Sequence, residues 1–236
     1  QKLVAALRES GYVFCQYSIV YDYERTVIMR HDVDLDLDKA CKLAALEERI
    51  GVASTYFVFV ATDFYNAMSK SSRERIRSII SMGHDIGLHF DETQHFIVTI
   101  EELQQCVTDE ARVLSHALDH EISAVSMHRP SQLMLRRDVE LPGFVNSYSS
   151  EFFVNMKYLS DSRMSWREDV FETITRKEFD RLHILTHPFW YSVTEESLEY
   201  KLRAFLNHAA MERYDHLDAN FRDLNKVLER EALTSG

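Results

Sequence analysis

Short runs of β-branched and aromatic residues alternate along this chain with longer stretches of helical period, and no other feature narrows its fold as much. Extended runs lie at "TVIMRHD" (26–32), "VASTYFVFV" (52–60), "HDIGLH" (84–89), "AVSMH" (124–128), "GFVNSY" (143–148) and "LHILTH" (182–187). Helical period marks "LDKACKLAALEERI" (37–50), "SRERIRSIISMG" (72–83) and "TIEELQQCVTDEARVLSHALDHE" (99–121). Strands joined by helices pair in parallel, so the class is α/β, and the strands either close a barrel or wind an open sheet. Residues 148–179 are less regular and read as loops and short strands over one face, while 195–231 read as helical. With 236 residues, 45% of them hydrophobic, and no repeat or shift in composition, one domain spanning 1–236 is expected.

Charge and cysteine usage exclude several function classes. The formal net charge of -11 opposes a phosphate-tracking nucleic-acid binder, whose surface is basic. No apolar run reaches the roughly 18 residues of a membrane span, and the opening "QKLVAALRESG" reads as an amphipathic helix rather than a signal peptide. Cys15, Cys41 and Cys106 form neither a CxxC pair nor a dense framework, which points to a reducing compartment, the cytoplasm.

Polar residues gather where the extended runs end: Asp32 and Asp34, His89 and Asp91, His128 and Arg129, and His187. In parallel α/β folds the strand C-termini form one face, so these groups are expected to converge. The run "RHDVDLDLD" is not an EF-hand, because the sixth and twelfth positions from Asp32 hold Leu37 and Leu43 instead of Gly and Glu. The strand ends near Asp32 and turns, and Asp36 or Asp38 serves the first turn of the next helix. Asp32 and Asp34 are then left for chemistry. Imidazole with carboxylate suits zinc, manganese, iron, cobalt or nickel. Gly83 and Gly87 permit close backbone approach around the strand that carries His89, and His84, at its other end, reads as structural. His116 and His120 stand four apart on a helix but lack the Glu of an HExxH site, and they read as a solvated face.

Taken in order, "RHDVD", "GHDIGLH", "HRP", "SDSRMSW" and "ILTHP" resemble the motif series of the polysaccharide deacetylase superfamily, the NodB-homology carbohydrate esterases. The likeness covers roughly residues 26–191 and is greatest for the divergent branch associated with surface-polysaccharide biosynthesis, which has phrases like "FVNSYSSEFF". The resemblance implies a distorted (β/α) barrel of about seven strands and the metal-dependent removal of acetyl groups from sugars. It implies Asp32 as base, Asp34 and His89 as metal ligands, and His187 as general acid. His128 or Arg129 would correspond to the arginine that orients the base, Asp161 and Trp166 to the segment that tunes the acid and lines the pocket. Arg163 and Trp190 are further candidate substrate contacts. Two departures stand out: Val33 separates the two aspartates, and Thr93 occupies the position of the usual second histidine. The third ligand then falls to His95, preferred for its ligand type, to Asp91, or to a water.

One divalent metal, zinc first, with nickel, cobalt, manganese or iron as alternatives, is the cofactor this resemblance implies. The substrate is a carbohydrate: an N-acetylated sugar, a nucleotide-sugar or a lipid-linked glycan intermediate. A non-catalytic glycan-binding domain that has lost the metal is the competing reading, motivated by Thr93. An iron and oxygen site built from the same side chains is a third, which nothing else in the sequence requires.

Overall fold

The structure is a computed structural model that describes residues 1–17, 21–136 and 138–233. The chain divides into two compact units, residues 1–191 and 192–236. Among the described residues the first holds eight parallel strands: β1 (Val13–Cys15), β2 (Thr26–Asp32), β3 (Thr55–Val58), β4 (Asp85–Asp91), β5 (Ala124–His128), β6 (Val145–Asn146), β7 (Lys157–Ser160) and β8 (Arg181–Thr186). Seven of them follow the order β6-β5-β4-β3-β2-β8-β7, with β1 added beside β2. Among the described residues β6 and β7 do not pair, so the sheet curls without closing, a distorted (β/α) barrel. One edge of β2 is shared: β1 takes Thr26–Ile28, and β3 takes Arg30–Asp32.

Helices α1 (Lys2–Glu9), α2 (Leu37–Arg49), α3 (Lys70–Ser81), α4 (Ile100–Leu118), α5 (Gln132–Arg136), α6 (Ser150–Phe153) and α7 (Val170–Arg176) occupy the connections. Local chemistry sets where they start. Asp36 caps α2 by accepting from the backbone N–H of Asp38 and Lys39, and Ser69 caps α3. Thr99 and Glu102 form a reciprocal capping box on α4. Leu103, Val107, Ala111, Leu114 and Leu118 then give α4 a continuous buried stripe at helical spacing.

Each strand separates two environments. On β2, Val27 and Met29 pack outward with Leu7 of α1 and with Val170 and Ile174 of α7, whereas Ile28 faces inward with Phe57, Ala124 and Phe152. The interior also takes polar side chains. His183 accepts from the Tyr17 hydroxyl at 2.9 Å and donates to the Phe152 carbonyl at 3.0 Å. Burial, with the nearby Arg30 charge, holds its pKa well below the ordinary histidine value.

The expected strands are present, several of them shorter than expected: 52–60 contracts to β3 and 143–148 to β6. β1 was not expected, whereas β7 is one of the short strands expected somewhere in 148–179. They are three and four residues long. In the second unit, α8 (Leu198–Asp218) is followed by short 3-10 turns at Leu224–Lys226 and Arg230–Leu233. Tyr214 donates to the Leu228 carbonyl, and Arg230 pairs with Asp215. No helix among the described residues is long and apolar enough to cross a membrane.

Gly87 is fixed by close approach. A Cβ there would lie 2.4 Å from the Phe57 ring, its register partner on β3, and 2.9 Å from the Ala124 carbonyl. Gly87→Ala is expected to cost about 1–3 kcal/mol through overpacking. A lowered urea midpoint with unchanged slope is the expected observation; an unchanged midpoint would show that the interior yields.

Candidate active site

The strand ends bring Asp32 (β2), His89 and Asp91 (β4) and His128 (β5) to one mouth, together with Asp161 just past β7 and His187 just past β8. The four aspartates of "RHDVDLDLD" divide there. Asp36 caps α2, and Asp38 takes a two-pronged ion pair from Arg75 of α3, Nε–Oδ1 2.5 Å and Nη2–Oδ2 3.2 Å. Asp32 and Asp34 turn to the mouth. The loop between them is pinned by Tyr65, whose hydroxyl donates to the Val33 carbonyl at 2.7 Å and accepts from the Phe59 N–H at 3.0 Å.

Asp32 is the deeper group and is only 3% exposed. Arg30 donates to it from Nη2 at 3.2 Å, and the Ser126 hydroxyl lies 3.3 and 3.2 Å from its two oxygens. Arg30 is itself fully buried, bonded to Ser147 Oγ at 2.5 Å and to the Tyr148 hydroxyl, and faced by the rings of Phe57, Tyr148 and Tyr158. A buried guanidinium holding a buried carboxylate is a rigid pair, since neither charge tolerates losing the other.

Above it, three donor atoms converge. His89 donates from Nδ1 to the Ser126 carbonyl at 3.1 Å, so Nε2 carries the lone pair when the ring is neutral and donates to Asp34 when it is protonated. That nitrogen lies 3.1 Å from Asp34 Oδ1 and 3.3 Å from His128 Nδ1, which is itself 3.4 Å from Asp34 Oδ1. Asp34, His89 and His128 thus bring their ligand atoms within 4.8 Å of one another. Burial would raise the Asp34 pKa, but hydrogen bonds from His128 and His89 and the charges of His89 and His187 drive it well below the carboxylate range. Burial would lower that of His89, and the carboxylates of Asp32 and Asp34 raise it instead. Two imidazoles around one carboxylate call for a cation at their centre, a proton or a metal, and two nitrogens with one oxygen fit a borderline divalent ion.

His187 faces this group from the other side. Its Nδ1 pairs with Asp161 Oδ1 at 2.7 Å, and Asp161 also accepts from the His187 N–H and, at 2.7 Å, from the Tyr191 hydroxyl. Nε2 is left toward the cleft, 3.9 Å from Asp34 Oδ2. Burial would depress the His187 pKa, but the Asp161 hydrogen bond and the charges of Asp32, Asp161 and Asp34 raise it. Around these groups lies a cleft of about 490 Å³, lined by Phe59, Phe64, Phe189 and Trp190 among others.

Several expected residues sit elsewhere. His95 pairs with Glu110 at 2.6 Å and stacks on Phe90, so its nitrogen is engaged away from the donor cluster, and His128 stands where the third ligand was sought. Asp91 lines the cleft but is occupied in capping Thr93, accepting from its N–H at 3.0 Å and its hydroxyl at 2.7 Å. Arg129 is exposed at the cleft with φ 55°, and the guanidinium on Asp32 is Arg30. Trp166 packs against the outer cluster around Leu7 and Val27, and Arg163 is exposed outside the cleft lining. Trp190 does line the cleft. Ser126 was missed although period 2 gives the signal: it lies two residues before His128 on its own strand.

No protein-family model and no curated protein matches this sequence. Solved structures that it matches include a CE4-family pseudoenzyme from Bacillus anthracis (13% identity, TM-score 0.46, 77% of this chain and 60% of that one). A peptidoglycan deacetylase from Bacillus subtilis (10%, TM-score 0.47, 70% and 75%) and a Streptococcus pyogenes deacetylase in complex with acetate (11%, TM-score 0.45, 78% and 77%) also match. This chain spans 60–65% of the length of the first three matched structures.

Removing the buried guanidinium separates these assignments. Arg30→Met is expected to cost about 3–5 kcal/mol by stranding Asp32, against about 0.5 kcal/mol or less for Arg129→Ala. Equal costs in chemical denaturation would contradict the placement of the two arginines.

Proposed function

We propose that this chain is a metal-dependent hydrolase that removes an acetyl group from an amino sugar or glycan intermediate, acting in surface-polysaccharide biosynthesis on a nucleotide-sugar or lipid-linked substrate. The observation that carries the reading is the donor set of Asp34, His89 and His128, flanked by a carboxylate (Asp32) and a carboxylate-oriented imidazole (His187). The motif order in the sequence supports the same reading.

Asp34, His89 and His128 would hold the metal, zinc by preference. When bound, such an ion supplies Lewis acidity to the acyl oxygen and to water. The chain's own residues supply the rest. Asp32, held by Arg30 and Ser126, takes a proton from the water that attacks the acyl carbon. The Asp161 carboxylate, paired with Nδ1, favours the doubly protonated His187 ring, and Nε2 of that ring delivers its proton to the leaving nitrogen or oxygen. Acid and base come from separate strands, so each keeps its own environment. Trp190 and Phe189 give the cleft an apolar wall on which a sugar ring can rest.

Acetate release from acetylated sugars, lost on chelation, restored by the divalent ion and reduced at least about 100-fold in Asp32→Asn, is the expected result. Glycan binding with neither metal nor hydrolysis would transfer the site to the binding-domain reading. The raised His187 pKa places the alkaline limb of the rate profile above about pH 6.5, since activity needs the protonated ring. Asp161→Asn removes the charge that raises it, so the limb moves to lower pH. A limb that stays in place would remove His187 from the acid role.

A further inference from the structure

Behind the site, on the helix side of the sheet, a second polar group is sealed from solvent. Glu47, in the last turn of α2, is 3% exposed. It accepts from His31 Nε2 at 3.0 Å and from the Tyr56 hydroxyl at 2.9 Å, and His84 Nδ1 lies 3.8 Å away. With Nε2 donating to the carboxylate, His31 Nδ1 accepts from the Thr186 hydroxyl at 2.6 Å. The rings of His31 and Tyr56 lie 4.4 Å apart.

The register gives this group its significance. Thr186, His31 and Tyr56 are partners across β8, β2 and β3, so Glu47 ties β2 to β3 directly and β8 through His31, all at one level. His31 immediately precedes Asp32, and Thr186 immediately precedes His187. Successive residues on a strand point to opposite faces, so each clamp residue fixes, from behind, the height of the neighbour that serves the site. Nothing about stability requires it. A buried carboxylate with imidazole partners is weak evidence of net stabilisation, and an apolar residue of similar volume commonly serves at least as well. Its return is a fixed relation between two strands.

We propose that Glu47, His31 and Thr186 are positioning residues that set the height of Asp32 relative to His187 through the β2–β8 register. The inference rests on the deacetylase reading above. The base and the acid act on opposite sides of one acyl bond, and misplacement by about 1 Å costs on the order of 100-fold in rate.

The test is steady-state kinetics of acetate release by wild type, Glu47→Leu, Thr186→Val and Thr186→Ser, with metal content and urea midpoint measured on each. Glu47→Leu and Thr186→Val are expected to lower kcat by about 10- to 100-fold, with KM within about twofold and metal retained. Thr186→Ser, which keeps the hydroxyl, should recover most of the rate. If Glu47→Leu does not fold, the near-isosteric Thr186→Val decides. A Thr186→Val enzyme with a lowered midpoint but wild-type kcat overturns the inference and leaves the deacetylase reading standing. Wild type without hydrolysis on any acetylated sugar overturns the reading, and this inference with it.

Discussion

The mouth of this barrel depends on Arg30. A guanidinium with no exposure, surrounded by Phe57, Tyr148 and Tyr158, is tolerable only because Asp32 neutralises it and Ser147 and Tyr148 accept from its two terminal nitrogens, while its Nε has no partner among the described residues. Ile28, Phe57 and Ala124 supply apolar filling to the same interior, and His183 with Tyr17 is a second polar group within it. Placing the ion pair on β2 has a consequence for everything above it. Asp32 is anchored before any ligand arrives, so Asp34 is the carboxylate left to meet His89 and His128.

From that anchor the site builds in three levels. The lowest is the Arg30–Asp32–Ser126 layer inside the barrel. The middle is the converging set of Asp34, His89 and His128, with one tautomer fixed by the Ser126 carbonyl. The highest is His187 with Asp161 and Tyr191, facing the cleft. Ser126 joins the first two by giving its hydroxyl to Asp32 and its carbonyl to His89. Preorganisation of this kind, in which each contact is held by another behind it, is what the proposed hydrolysis would require.

Much of this was legible in the sequence because it depends on period and position. β2 and β5 have the boundaries that their alternation gives, and polar residues at run ends do meet, because parallel strands share one C-terminal face. That Asp36 or Asp38 would start the next helix was likewise readable from the turn that must follow a strand; the pairing of Asp38 with Arg75 of α3 was not. What was not readable depends on packing between distant segments. His95 looks as good a ligand as His128 in one dimension, yet Glu110 of α4 and the Phe90 ring claim it. Trp166 lies in a segment whose motif points to the pocket, but α1 and α7 offer its ring an apolar surface on the outside. Short strands such as β1 carry too few residues for a period to appear.

On the proposed reading Asp34, His89 and His128 form one metal centre, and His95 is not part of it. The most direct measurement is metal stoichiometry and affinity, by elemental analysis and isothermal titration with zinc, of wild type beside His128→Ala, His89→Ala and His95→Ala. About one equivalent in wild type and in His95→Ala, with binding weakened at least about 100-fold in the other two, is the predicted result. Binding kept in His128→Ala and lost in His95→Ala would contradict the account.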